Sequence, residues 1–125
     1  MSPVVWVSMC DPTDAVRRYY TTVDTLGPDD VVALFTADAV YRRPGYQPMN
    51  GSSELLSFYS GQRVIAGGRH TLVHVLLDGP YAAVQGEFRG LLRDGKSVHV
   101  RFADFLRFEG DLIAERDTYF DAPAV

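Results

Sequence analysis

The sequence predicts an α+β fold, with three amphipathic helices first and a curved, mixed or antiparallel sheet after them. Three observations carry this. Apolar residues recur at helical spacing through the first half of the chain. From His70 onward the period becomes two, and four strand-like runs are joined by short glycine-containing turns. A curved sheet wrapped by three helices leaves a cone-shaped hollow between the layers. At 125 residues the chain reads as one domain, 1–125, long enough to bury a sizeable core.

Asp11-Pro12-Thr13-Asp14 predicts a helix start: Asp11 can cap, Pro12 suits the first helical position and Asp14 complements the dipole. Val16, Tyr19, Tyr20, Val23 and Leu26 then form one face, and Gly27 stops the helix. Pro28-Asp29-Asp30 opens a short second helix carrying Val31, Val32, Leu34 and Phe35. Ala37 to Arg43 reads as a brief strand ended by Pro44-Gly45, and residues 46–51 as a loop. Ser52 or Ser53 can cap a third helix bearing Leu55, Leu56, Phe58 and Tyr59, which is expected to end at Gly67-Gly68. The four strands are His70 to Asp78, Tyr81 to Leu92, Ser97 to Phe108 and Leu112 to Phe120. Their turns are Asp78-Gly79-Pro80, Asp94-Gly95 and Glu109-Gly110-Asp111.

The run from Val98 to Phe108 is the most informative. One face reads Val98, Val100, Phe102, Asp104, Leu106, Phe108, and the other His99, Arg101, Ala103, Phe105, Arg107. Asp104 therefore lies in the middle of an apolar face. A carboxylate there is costly unless it is paired or protonated, which marks a pocket or, more plainly, a buried tie to an arginine or a loop.

Composition narrows the function. Net charge is −4, from 12 basic and 16 acidic side chains, and no basic run exists, which argues against nucleic acid or an anionic membrane as partner. Aromatics make up 12%, which suits a lined cavity. The single Cys10 excludes an internal disulfide and fits a reducing cytoplasm. The apolar opening lacks a signal peptide's basic start, and no apolar run is long enough to span a membrane. A soluble, cytoplasmic protein is expected.

The order of elements resembles the nuclear-transport-factor-2-like superfamily. Within it the resemblance is to the SnoaL-like polyketide cyclases, ketosteroid isomerases and limonene-type epoxide hydrolases. It rests on Val16-Arg17-Arg18-Tyr19, on residues 32–40, on Asp104-Phe105-Leu106-Arg107-Phe108 and on residues 115–121. Tyr19 falls where ketosteroid isomerases keep an oxyanion-hole tyrosine, and Asp104 where they keep a protonated aspartic acid. Their general-base aspartate matches Arg43. Gln85, Glu87 and Asp117 fall near the Asp–Arg–Asp set of the limonene-type hydrolases, with Gln85 in place of the arginine.

The chain also resembles the small epoxide hydrolase/cyclases of polyether pathways, including pyran-forming members, and that resemblance implies a carboxyl pair, Asp38 and Asp104. In such a pair Asp104 stays protonated as general acid and Asp38 acts as base, or the roles reverse. Tyr19 adds a hydrogen bond to the substrate. The implied substrate is a small hydrophobic, polyketide-like molecule, with delivery on a carrier protein left open, and the implied assembly is a homodimer.

Each residue also has a plainer role. Asp38 suits a turn, Tyr19 the core, and Glu87 and Asp117 ion pairs, the latter with Arg116. His70 and His74, four apart on a strand, lie roughly 13 Å from each other, too far for one metal ion. His99 faces away from Asp104. No nucleophile elbow, phosphate loop or dinucleotide fingerprint occurs, so cofactor-free chemistry is expected. The opposing class is a non-catalytic module holding a hydrophobic ligand, and a further enzymatic alternative is an isomerase or dehydratase.

Overall fold

The computed structural model describes residues 12–62 and 65–122. Helices α1 (Pro12–Thr25) and α2 (Pro28–Val32) lead into strand β1 (Phe35–Arg42). A two-residue β2 (Met49–Asn50), helix α3 (Gly51–Ser57) and a π-helical turn (Phe58–Gln62) follow. Four long strands complete the chain: β3 (Ile65–Asp78), β4 (Tyr81–Leu92), β5 (Ser97–Glu109) and β6 (Leu112–Phe120). The expected cap at Asp11 lies outside the described residues. No helix among them is long and apolar enough to cross a membrane.

The strands form one open sheet in the order β2-β1-β6-β5-β4-β3. The β1–β6 pair is parallel and the others antiparallel, so the sheet is mixed. Register shifts interrupt the β1–β6, β3–β4 and β5–β6 ladders. Such bulges bend a sheet, here around the helices.

The inner face of the sheet and the stripe of α1 meet as the spacing predicts. Ala15, Val16, Tyr19 and Tyr20 are buried, with Val23 packed against them. On β5, Val100, Phe102, Asp104, Leu106 and Phe108 are buried, while His99, Arg101 and Phe105 are exposed. Each fully buried large apolar side chain contributes about 1.5–3 kcal/mol.

Three boundaries differ from the expected ones. Helix α2 stops at Val32, and Phe35 begins β1, because the backbone N–H of Ile113 on β6 captures the carbonyl of Leu34 at 2.9 Å. Asn50, rather than a serine, stands at the N-cap of α3, and its N–H donates to the Glu54 carboxylate at 2.8 Å. Gly67 and Gly68 belong to β3 rather than to a helix end. They pair with Leu91 and Gly90, and a Cβ on Gly68 would come within 2.5 Å of the Phe88 ring. Glycine serves a close approach of strands here, not a stop.

Candidate active site

Asp104 is 0% exposed. Its carboxylate accepts from the Tyr20 hydroxyl, from the Thr118 hydroxyl and from Arg116 Nη2 at 2.8 Å. Thr118 is linked onward to the Tyr41 hydroxyl at 3.0 Å, which accepts from Arg43 Nη1 at 3.1 Å. Arg116 Nη1 donates to the hydroxyls of Tyr19 and Tyr59, which lie 2.5 Å apart. This is a buried charge pair with its hydrogen-bonding capacity largely met, the condition under which such a pair is tolerated. Burial raises the Tyr20 phenol well above its usual pKa, and the Asp104 charge adds to this. Burial likewise raises Tyr19 and Tyr59. Burial works against the Arg116 charge, but Asp104 together with Tyr19, Tyr41 and Tyr59 outweighs it, and the guanidinium is held well above its ordinary range.

The residues singled out from the sequence separate. Tyr19 is buried and joins the Asp104 network through Arg116. Asp38 does not: it is exposed on β1, between Ala37 and the buried Ala39, and its carboxylate accepts from Thr36 Oγ1 at 3.0 Å. Strand alternation turns Asp38 away from the face that carries Ala39 and Tyr41, so the structure does not bring the expected carboxyl pair together. Glu87 lies 2.6 Å from His99 Nε2. Asp117 pairs with Arg42 at 3.2 Å rather than with Arg116, which points inward.

A narrow hollow lies between the helices and the inner face of the sheet. It is lined by His70, Arg43, Arg116, Thr118, Tyr59 and Phe102, among others, and holds about 20 Å³. Arg43 and Thr118 also line an outer cleft of about 300 Å³ beside Arg42, Tyr46, Asp117 and Tyr119. These two residues therefore stand where the open surface meets the interior.

His70, whose position on β3 gave no sign of chemistry in the sequence, is held by Asp24 of α1. Its Nδ1 lies 2.6 Å from one carboxylate oxygen, and its backbone N–H donates to the other at 2.8 Å. Rings of Tyr20, Phe88 and Phe102 surround the imidazole at 4.8–5.4 Å. With Nδ1–H donating to Asp24, the ring orientation is fixed and Nε2 is left as the nitrogen able to accept a proton. Among the described residues no three His, Cys, Asp or Glu side chains gather as a metal ion would require.

The model of the SnoaL-like domain matches residues 16–116, from the second turn of α1 to the arginine that pairs with Asp104. The chain belongs to the SnoaL-like domain family. Solved structures resemble this SnoaL-like chain over most of its length. A Catenulispora acidiphila protein of ketosteroid isomerase-like fold, solved with trimethylamine, is 18% identical, with 89% of this chain and 88% of that one covered and a TM-score of 0.78. The epoxide hydrolase/cyclase-like enzyme SalBIII, of pyran ring formation in the polyether salinomycin, is 16% identical, covering 87% and 89% at 0.77. A Mycobacterium tuberculosis epoxide hydrolase of the limonene type is 16% identical, covering 88% and 82% at 0.76. At these identities the likeness is one of fold, the α+β cone expected from the sequence. No curated protein matches the sequence.

Sequence reading missed the Asp24–His70 pair. The available signal was the spacing of Tyr20 and Asp24, four apart, which puts a carboxylate on the inward face of α1, much as Asp104 sits on the inward face of β5. Nothing in the sequence shows that β3 delivers His70 to it.

Proposed function

We propose that this SnoaL-like protein is a cofactor-independent, cytoplasmic acid–base enzyme. It acts on a small hydrophobic, polyketide-like substrate, closing a cyclic ether or opening an epoxide. The observation that carries the reading is His70, held by Asp24, on the wall of the same hollow as Arg116. Nε2 of His70 takes the proton of the attacking hydroxyl, the new C–O bond forms, and the epoxide C–O bond breaks. The negative charge developing on the released oxygen meets the Nε–H of Arg116, a buried donor with no acceptor of its own. The proton held by His70 then passes to that oxygen, so none is gained or lost.

Asp104 is in this reading a positioning residue. It accepts three hydrogen bonds and orients Arg116, Thr118 and Tyr20, and Tyr19 supports the same arginine. The hollow's 20 Å³ is room for about one water, so a substrate enters from the outer cleft by displacing side chains around Arg43 and Thr118. Phe105 and Tyr119 lie together on the outer sheet face, 53% and 57% exposed. This supports a homodimer formed through that face.

The test is chiral product analysis with a hydroxy-epoxide polyketide mimic. Stereoselective ring closure by the wild type, lost in His70→Asn, supports the reading. The second reading is a non-catalytic binding module, favoured by the three donors that already meet the Asp104 carboxylate and tie it into the interior. It would prevail if the wild type turned nothing over and the mimic bound equally well before and after the His70 substitution.

A further inference from the structure

Arg43 is 8% exposed. Its guanidinium sits within a cage of four rings, Tyr41, Tyr46, Phe58 and Phe120, at 5.2–5.9 Å. Among the described residues no carboxylate pairs with it. Nη1 donates to the Tyr41 hydroxyl, while Nε and Nη2 are buried without a partner. An arginine taken out of water normally finds a carboxylate, and a buried N–H left without an acceptor is costly. The other buried arginine of the hollow, Arg116, has such a partner in Asp104.

The two unpartnered atoms are the informative pair. Nε–H and one Nη–H form the side edge of a guanidinium, two parallel donors spaced for two oxygens of one delocalised anion. Arg43 lines both the hollow and the outer cleft, and aromatic rings flank its guanidinium. The geometry points to Arg43 as the recognition site for a planar, delocalised oxyanion on the ligand, a carboxylate or the enolate of a 1,3-dicarbonyl. The inference rests on the hollow being the ligand site, as proposed above, and names the chemical class that enters it. A tetrahedral phosphate dianion fits less well, since Arg43 offers one unpaired cation and one donor edge.

The experiment is calorimetric titration with three probes of similar size: 2-naphthoate, the enolate form of a cyclic 1,3-diketone, and neutral 2-naphthamide. Wild type is expected to bind at least one anion ten or more times as tightly as the amide. Arg43→Gln should abolish the preference, and Arg43→Lys should keep part of it. Whichever anion binds tighter identifies the source of the oxyanion. Should Arg43→Gln not fold, nitrogen-15 NMR of the wild type replaces it, with the Arg43 Nε–H resonance expected to move on adding the anion and not the amide. Equal binding of anion and amide, no saturable binding of either anion at millimolar concentration, or an Nε–H signal unmoved by both anions would overturn the inference. The cage would then be a structural cation–π site only. Anion binding is read by titration and ring closure by turnover, so a failed proton-transfer reading and a failed anion site give different results.

Discussion

Asp24 grips His70 at two points, the backbone N–H and ring Nδ1, although 46 residues separate them in the chain. A single carboxylate thus fixes both the strand position and the ring orientation of the imidazole. The pair joins α1 to β3, and His70 lines the hollow that Asp38 does not.

The buried pair of Asp104 and Arg116 should govern stability. Asp104→Ala leaves Arg116 charged and buried and is expected to cost about 3–5 kcal/mol. Asp38→Ala, at an exposed site with one hydrogen bond to Thr36, should cost less than about 1 kcal/mol. Urea unfolding of the two variants measures this, and equal costs would contradict the placement of the charges.

Alkaline pH should destabilise the fold. The Tyr19, Tyr20 and Tyr59 phenols have folded pKa values above the usual 10.0. The unfolded chain loses these protons near pH 10 while the folded chain keeps them. Stability is therefore complete below that pH and falls as pH rises toward the folded values, by up to about 1.4 kcal/mol per pH unit for each phenol. Urea midpoints between pH 8 and 11 should show the fall, and Tyr20→Phe should make it shallower.

Gly86 of β4 should not accept a side chain. A Cβ there would stand 2.4 Å from the carbonyl oxygen of Thr71 and 2.8 Å from the ring of Phe102, which lines the hollow. Gly86→Ala is expected to lower stability by about 1–3 kcal/mol. It should also shift the Phe102 and His70 resonances, whose rings lie 5.4 Å apart. An unchanged melting temperature would show that the sheet yields there at no cost.

The outer face should carry the dimer. Phe105→Glu puts a charge beside Tyr119 and is expected to convert a dimer to a monomer in analytical ultracentrifugation without loss of helical signal. A wild type that is monomeric at high micromolar concentration would remove the proposed interface.

Much of the fold was legible because the inner and outer faces of β5 alternate without a break, and Asp104 stood out as the one acid on an apolar face. The boundaries that shifted were those decided by tertiary contacts: Leu34 captured by Ile113, and Gly68 packed under Phe88. The site was legible only in part. Asp104 and Tyr19 do meet through Arg116, and Arg116 pairs with Asp104 rather than with its neighbour Asp117, because neighbours in sequence face opposite sides of a strand. The His70–Asp24 contact and the Arg43 cage depend on how far α1 and β1 reach across the cone, which local spacing does not encode.

The most direct measurement is kcat for ring closure of the hydroxy-epoxide mimic by His70→Asn and Asp38→Asn, side by side with the wild type. Loss of the His70 base should lower kcat about 100-fold or more, while Asp38→Asn should stay within about twofold. The reverse order, with Asp38→Asn inactive and His70→Asn unimpaired, would contradict the dyad and restore the carboxyl pair.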